Sequence, residues 1–118
     1  MNLKKMQESM KEFARQRQWE KFHRPKNLAT ALTVEASELM EIFQWLTLEE
    51  SDDIKNNEEK MNHIREEVAD VTAYLIRFCE ILEIDIEKAF FEKMQKNEKK
   101  YPVHLSKGNS LKYDQFSS

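Results

Sequence analysis

Only three residues of the strongest chain-turning types occur in 118 positions: the glycine Gly108 and the prolines Pro25 and Pro102. Tight connections between strands draw heavily on glycine, so this chain has few places to turn a sheet. Heavy use of Glu, Lys, Leu, Met and Ala favours helix throughout. At this length the chain makes one domain with a single core. The expectation is an all-α fold, which apolar spacing divides into four helices.

The first helix is expected over residues 2–19, with Leu3, Met6, Met10, Phe13 and Arg17 marking one face. His23-Arg24-Pro25 breaks it, and Asn27 is a plausible N-cap for a second helix reaching to about residue 46. Residues 47–57 read as an acidic loop with its own capping residues. A third helix, 58–82, carries Ile64, Val68, Val71, Leu75, Phe78 and Leu82 at helical spacing. Asp85 caps a fourth, which Pro102 stops near Tyr101. Residues 1–102 thus form the helical domain, and 103–118, poor in large apolar residues, are expected to be a mobile tail.

Two acids disturb the second helix. Leu28, Ala31, Leu32, Leu39, Ile42 and Leu46 recur every three, four or seven residues as an apolar stripe, and Glu35 stands within it. Glu38, three residues on, points the same way. The third helix repeats the pattern: Glu67 and Asp70 share a side and border its stripe, whereas Glu66, turned by roughly 100°, is suited to solvent. Burying an unpaired carboxylate costs several kcal/mol, so such acids are exposed, protonated or supplied with a cation.

Antiparallel packing could bring the four carboxylates together, where a divalent cation is the simplest relief of their repulsion. Hard oxygen donors suit Mg²⁺ or Mn²⁺ better than Zn²⁺, and Mg²⁺ commonly bridges carboxylates to substrate phosphates. A di-iron bundle lacks its Glu-x-x-His signature here, because His63 precedes Glu67 by four. Ordinary helix decoration by acids spaced at three stays open at this point.

Composition removes other classes. A net charge of −3 gives no basic footprint for nucleic acid polymers. No apolar run approaches the roughly 20 residues of a membrane span, and the Lys-rich start lacks the apolar segment of a signal peptide. Cys79 is the single cysteine, fit for a packed thiol in a reducing compartment. A cytoplasmic protein that binds no membrane is the expectation.

Glu35-Ala-Ser-Glu38 followed by Glu67-Val-Ala-Asp70, set among "WEKFHRPKNLATAL", "EASELMEIFQWL", "REEVADVTAYLI" and "KMQKNEKKYP", resembles the MazG-like nucleotide pyrophosphohydrolases, in particular their dCTP pyrophosphatase branch. The resemblance covers about residues 10–105. It implies a four-helix bundle assembled as a homotetramer, a dimer of dimers. It also implies Mg²⁺-dependent hydrolysis of a nucleoside triphosphate, dCTP or another or modified deoxynucleotide, to monophosphate and pyrophosphate. Glu35, Glu38, Glu67 and Asp70 are then the metal ligands.

Trp19, Phe22, His23 and Trp45 match positions such enzymes place around the base, and Tyr74 matches a substrate-contacting tyrosine. Flat π surfaces hold bases by stacking, although Trp19, Phe22 and Trp45 also suit a core or a subunit interface. Met10 departs from the pattern, standing where vertebrate members have a histidine near the base. Lys93, Asn97 and Lys100 share a helix face that suits either phosphate oxygens or a solvated helix end, where lysines favour the negative dipole. The resemblance of the Asn-x-x-Lys-Tyr-Pro text implies phosphate contacts for Asn97 and Lys100 before Lys93. Glu38 is the chosen general base, with Glu41 the weaker candidate. The competing reading is a non-catalytic helical module for nucleotide binding, oligomerisation or regulation.

Overall fold

The computed structural model describes residues 1–108, and every regular element among them is helical. In chain order these are α1 (Leu3–Gln16), a 3₁₀ turn (Glu20–Phe22), α2 (Pro25–Phe43), α3 (Leu48–Asp53), a second 3₁₀ turn (Ile54–Asn56), α4 (Glu58–Ile81), α5 (Ile86–Lys100) and α6 (Val103–Ser106). The four expected helices are α1, α2, α4 and α5. Two short ones are added: α6 opens the segment expected as a tail, and α3 lies where a loop was expected. The rest of that tail, residues 109–118, lies outside the described residues.

Helix α3 owes its existence to a capping box. The Thr47 hydroxyl accepts from the Glu50 amide at 3.1 Å, and the Glu50 carboxylate accepts from the Thr47 amide at 3.0 Å. Asn2, Asn57 and Asp85 cap α1, α4 and α5 by the same physics, each accepting from the amide three residues on. Asn27 does not cap α2. Arg24 holds that position with extended backbone, and Pro25 takes the first helical residue, where its missing N–H costs nothing. Asn27 instead donates from Nδ2 to the Phe22 carbonyl at 3.0 Å, pinning the preceding turn.

Helices α1 and α4 both end without glycine. Gln18 and Glu83 take left-handed backbone, with φ of 55° and 56°. After α1, the Trp19 amide reaches back to the Ala14 carbonyl at 2.9 Å and the Gln18 amide to Arg15 at 3.1 Å, which is a Schellman motif. The Trp19 ring closes it edge-on against Phe13, centroids 5.6 Å apart.

The chain divides into two compact units, the first comprising Met1–Ile84 and the second beginning at Asp85. In the first, α4 packs chiefly on α2 and secondarily on α1. Leu28 at 1 % exposure is its largest fully buried side chain, joined by Ala14, Ile76 and Cys79. Truncating Leu28 to alanine would cost about 2–5 kcal/mol. Of the expected α2 stripe, Leu28 is buried and Ala31, Leu32, Leu39, Ile42 and Leu46 are half-buried, whereas half of the α4 stripe, Val68, Leu75 and Leu82, is exposed. A single apolar stripe was too simple for α4. It uses one side for α2, with Glu67 buried, and another for Ile76 and Cys79, leaving Val68 and Leu75 outside both.

Candidate active site

Helices α2 and α4 run antiparallel. Glu35 interacts with Glu67, whereas Ala31, one turn earlier on α2, shares a groove with Tyr74, nearly two turns later on α4. This register brings carboxylate oxygens of Glu35, Glu38 and Glu67 within 4.8 Å of one another. Oε2 of Glu35 and Oε2 of Glu67 are buried with no hydrogen-bond partner among the described residues. Glu67 Oε1 lies 3.5 Å from Nε2 of His63.

Loss of water, and then the neighbouring Glu38, Glu67 and Asp70, push the Glu35 carboxyl up to about 7. Two inward oxygens without donors, in a group of hard ligands, fit a divalent cation. Asp70 adds charge to Glu35 but stands outside the mutually close oxygens, lining instead the larger of two grooves. Glu66 and Glu41 are exposed and outside the group.

The larger groove, about 860 Å³, runs between α1 and α4. Met6, Met10 and Phe13 form one wall, Asp70, Ala73 and Tyr74 the other, and Trp19 closes one end. A smaller groove of about 220 Å³ is lined by Trp19, Phe22, His23, Asn27, Ala31 and Tyr74. Trp19 and Tyr74 face both spaces, so the two are contiguous, and Tyr74 follows Asp70 by one turn of α4. Four of the expected substrate residues, Trp19, Phe22, His23 and Tyr74, are thereby gathered beside the acids.

Trp45 is not among them. It follows α2 at 87 % exposure and lines neither groove, so within this chain it is not a core residue. Asn97 and Lys100 belong to α5 in the second unit. There Asn97 Nδ2 lies 3.9 Å from Met94 Sδ, and the Lys93 ammonium is pushed down by neighbouring Lys100 and Lys96.

Sequence reading missed Arg77. At 4 % exposure it donates from Nε to Nδ1 of His23 at 3.1 Å and pairs with Glu80 at 3.2 Å. The available signal was a lone cation in the apolar run Ala73–Cys79, bounded by Ile76 and Phe78.

The site is thus an antiparallel helical pair that carries a close carboxylate group, with an aromatic-lined groove one turn away. A model of the MazG-like family matches residues 30–116, and the chain belongs to that family. It is 40 % identical over 102 residues to dCTP pyrophosphatase 1 of Rattus norvegicus, and 39 % identical to the protein of the same name from Homo sapiens. Each alignment covers 86 % of this chain and 60 % of the relative, so the chain spans about three fifths of those proteins. The crystal structure of a pyrophosphatase from Archaeoglobus fulgidus matches with a TM-score of 0.77 at 38 % identity, covering 86 % of this chain and 94 % of that one.

Proposed function

We propose that this protein hydrolyses a deoxynucleoside triphosphate, dCTP or a modified or related nucleotide, between the α- and β-phosphates, releasing monophosphate and pyrophosphate. The observation that carries the reading is the pair of buried oxygens on Glu35 and Glu67 that have no hydrogen-bond partner among the described residues, beside an aromatic groove. A purely structural helix pair gains nothing from two such atoms. The similarity to dCTP pyrophosphatase 1 supports the choice of substrate.

In this reading Glu35, Glu38, Glu67 and Asp70 would hold Mg²⁺, or Mn²⁺ in its place, the first three from the close group and Asp70 from the groove side. A cation held there would supply charge neutralisation for phosphate oxygens and lower the pKa of a water. Glu38 takes the proton from the attacking water. Trp19, Phe22, His23 and Tyr74 hold the base, with Trp45 stacking from outside this chain's grooves. Asn97 and Lys100 contact phosphate oxygens.

The working form is a homotetramer, a dimer of dimers. Val34, Met40, Val68, Leu75, Phe90 and Phe91 are exposed apolar side chains that subunit contacts would cover. The protein acts in the cytoplasm on free nucleotides and engages neither nucleic acid polymers nor membranes; among the described residues no helix is long and apolar enough to cross a membrane.

Incubation with each nucleotide and Mg²⁺, followed by chromatography, tests the reaction. Monophosphate with pyrophosphate is expected; diphosphate with phosphate would overturn the cleavage position. Light scattering showing a stable monomer at micromolar concentration would overturn the assembly.

A further inference from the structure

We propose that Arg77 is a positioning residue that locks His23 as the Nε2–H tautomer, so that the smaller groove offers a fixed hydrogen-bond donor to an acceptor edge of a nucleobase. The inference rests on the reading of that groove as the base site.

Arg77 Nε carries a proton and cannot accept, so its 3.1 Å contact with His23 Nδ1 is possible only when Nδ1 bears a lone pair. The ring proton must then sit on Nε2. His23 is 7 % exposed and Arg77 4 %, so neither side chain is free to reorient in solvent. The 3₁₀ turn fixes the backbone as well, with the His23 amide donating to both Trp19 and Glu20 carbonyls at 3.2 Å.

A second effect acts in the same direction. Burial, and then the adjacent guanidinium, hold the imidazole below its ordinary range, opposed by Glu20 from the same turn. From α4, Glu80 is paired with Arg77 rather than with the imidazole. The side chains reaching the groove from α2 are Asn27, Leu28 and Ala31, none of them charged.

The ligand class follows. A space of about 220 Å³ admits one flat ring, whereas drug-sized ligands fill roughly 300–1,000 Å³. Trp19, Phe22 and Tyr74 offer π faces, and a donor of fixed direction selects a carbonyl or bare ring nitrogen over an exocyclic amine. Cytosine carries such acceptors beside its amine, and a base turned with the amine toward His23 leaves Nε2–H unsatisfied.

The first test uses the ¹⁵N-labelled wild-type protein without substrate, reading the imidazole nitrogens by long-range ¹H–¹⁵N correlation. His23 should show Nε2 protonated and Nδ1 bare from pH 6 to 8; a protonated Nδ1 would overturn the lock. Titration with dCMP should shift the Nε2–H resonance, whereas inorganic pyrophosphate alone should not. A resonance unmoved by saturating dCMP would overturn the groove assignment even where triphosphates are hydrolysed. A shift with dCMP in a protein that releases no pyrophosphate would instead defeat the proposed reaction and leave this inference standing.

In Arg77→Met the ring should sample both tautomers, and KM for dCTP should rise by about 3–10-fold, more than kcat falls, the effect of losing one oriented hydrogen bond. KM should also become pH-dependent between 6 and 7.5 as the freed imidazole titrates. A folded Arg77→Met protein with wild-type KM and a flat pH profile would overturn the positioning role. If that variant does not fold, the wild-type spectra decide alone.

Discussion

Glu35 on α2 and Glu67 on α4 face one another with an Oε2 atom each that is buried and has no hydrogen-bond partner among the described residues. Together with Glu38 they concentrate negative charge within 4.8 Å, and the structure compensates it in part by raising the proton affinity of Glu35. Burial first, and then the neighbouring acids, disfavour the charged form of Glu35, and that effect is measurable.

Replacing Glu38 with glutamine keeps the volume and removes one charge. Turnover with Mg²⁺ should fall by about 10²–10⁴-fold, the range for loss of a general base. The melting temperature in EDTA should rise, because repulsion on Glu35 is relieved. Near-wild-type turnover would remove Glu38 from its role.

The pH dependence of the metal-free protein has a defined sign. Glu35 is raised to about 7 from an ordinary 4.5, so the folded state binds its proton more tightly than the unfolded one. Its contribution to stability is complete below about pH 4.5 and is lost as the pH rises through 7. His23, held low, acts oppositely below about 6.5. Melting in EDTA should thus fall between pH 6.5 and 8, and Glu35→Gln should abolish most of that fall. Identical pH profiles for the two proteins would contradict the assignment.

Trp45, exposed in this chain, separates ligand stacking from folding. Trp45→Ala should change the unfolding free energy by no more than about 0.5 kcal/mol. Nucleotide affinity should weaken by about 1–3 kcal/mol, the value of a lost base stack, with Mg²⁺ affinity unchanged. A drop in melting temperature that depends on protein concentration would place the residue in a subunit contact instead.

Gln18 holds a left-handed conformation that costs a side chain roughly 1–2 kcal/mol and glycine almost nothing. Glycine also loosens the unfolded chain, which offsets part of the gain. Gln18→Gly should stabilise the first unit by about 0.5–1 kcal/mol, and Gln18→Val should destabilise it. Denaturant unfolding of both variants checks the order; equal stabilities would show that the Schellman turn carries no such cost.

Much of this was legible in the sequence because it is local. Helical periodicity placed Glu35 with Glu38, and Glu67 with Asp70, on single faces, since 3.6 residues per turn is a property of the backbone alone. Asp85 as a cap is local in the same way, decided within three residues. The capping box at Thr47 and Glu50 was equally local, yet its six-residue helix escaped a search for long apolar periods. What the sequence alone could not decide was which faces meet and at what register. The pairing of Arg77 with His23 spans 54 positions and exists only because α4 lies against the turn before α2. The same register leaves Asp70 outside the closest oxygens and buries one oxygen on each of two glutamates. Periodicity assigns each acid to a side, but burial depends on the neighbour, and only the packed helices supply that neighbour.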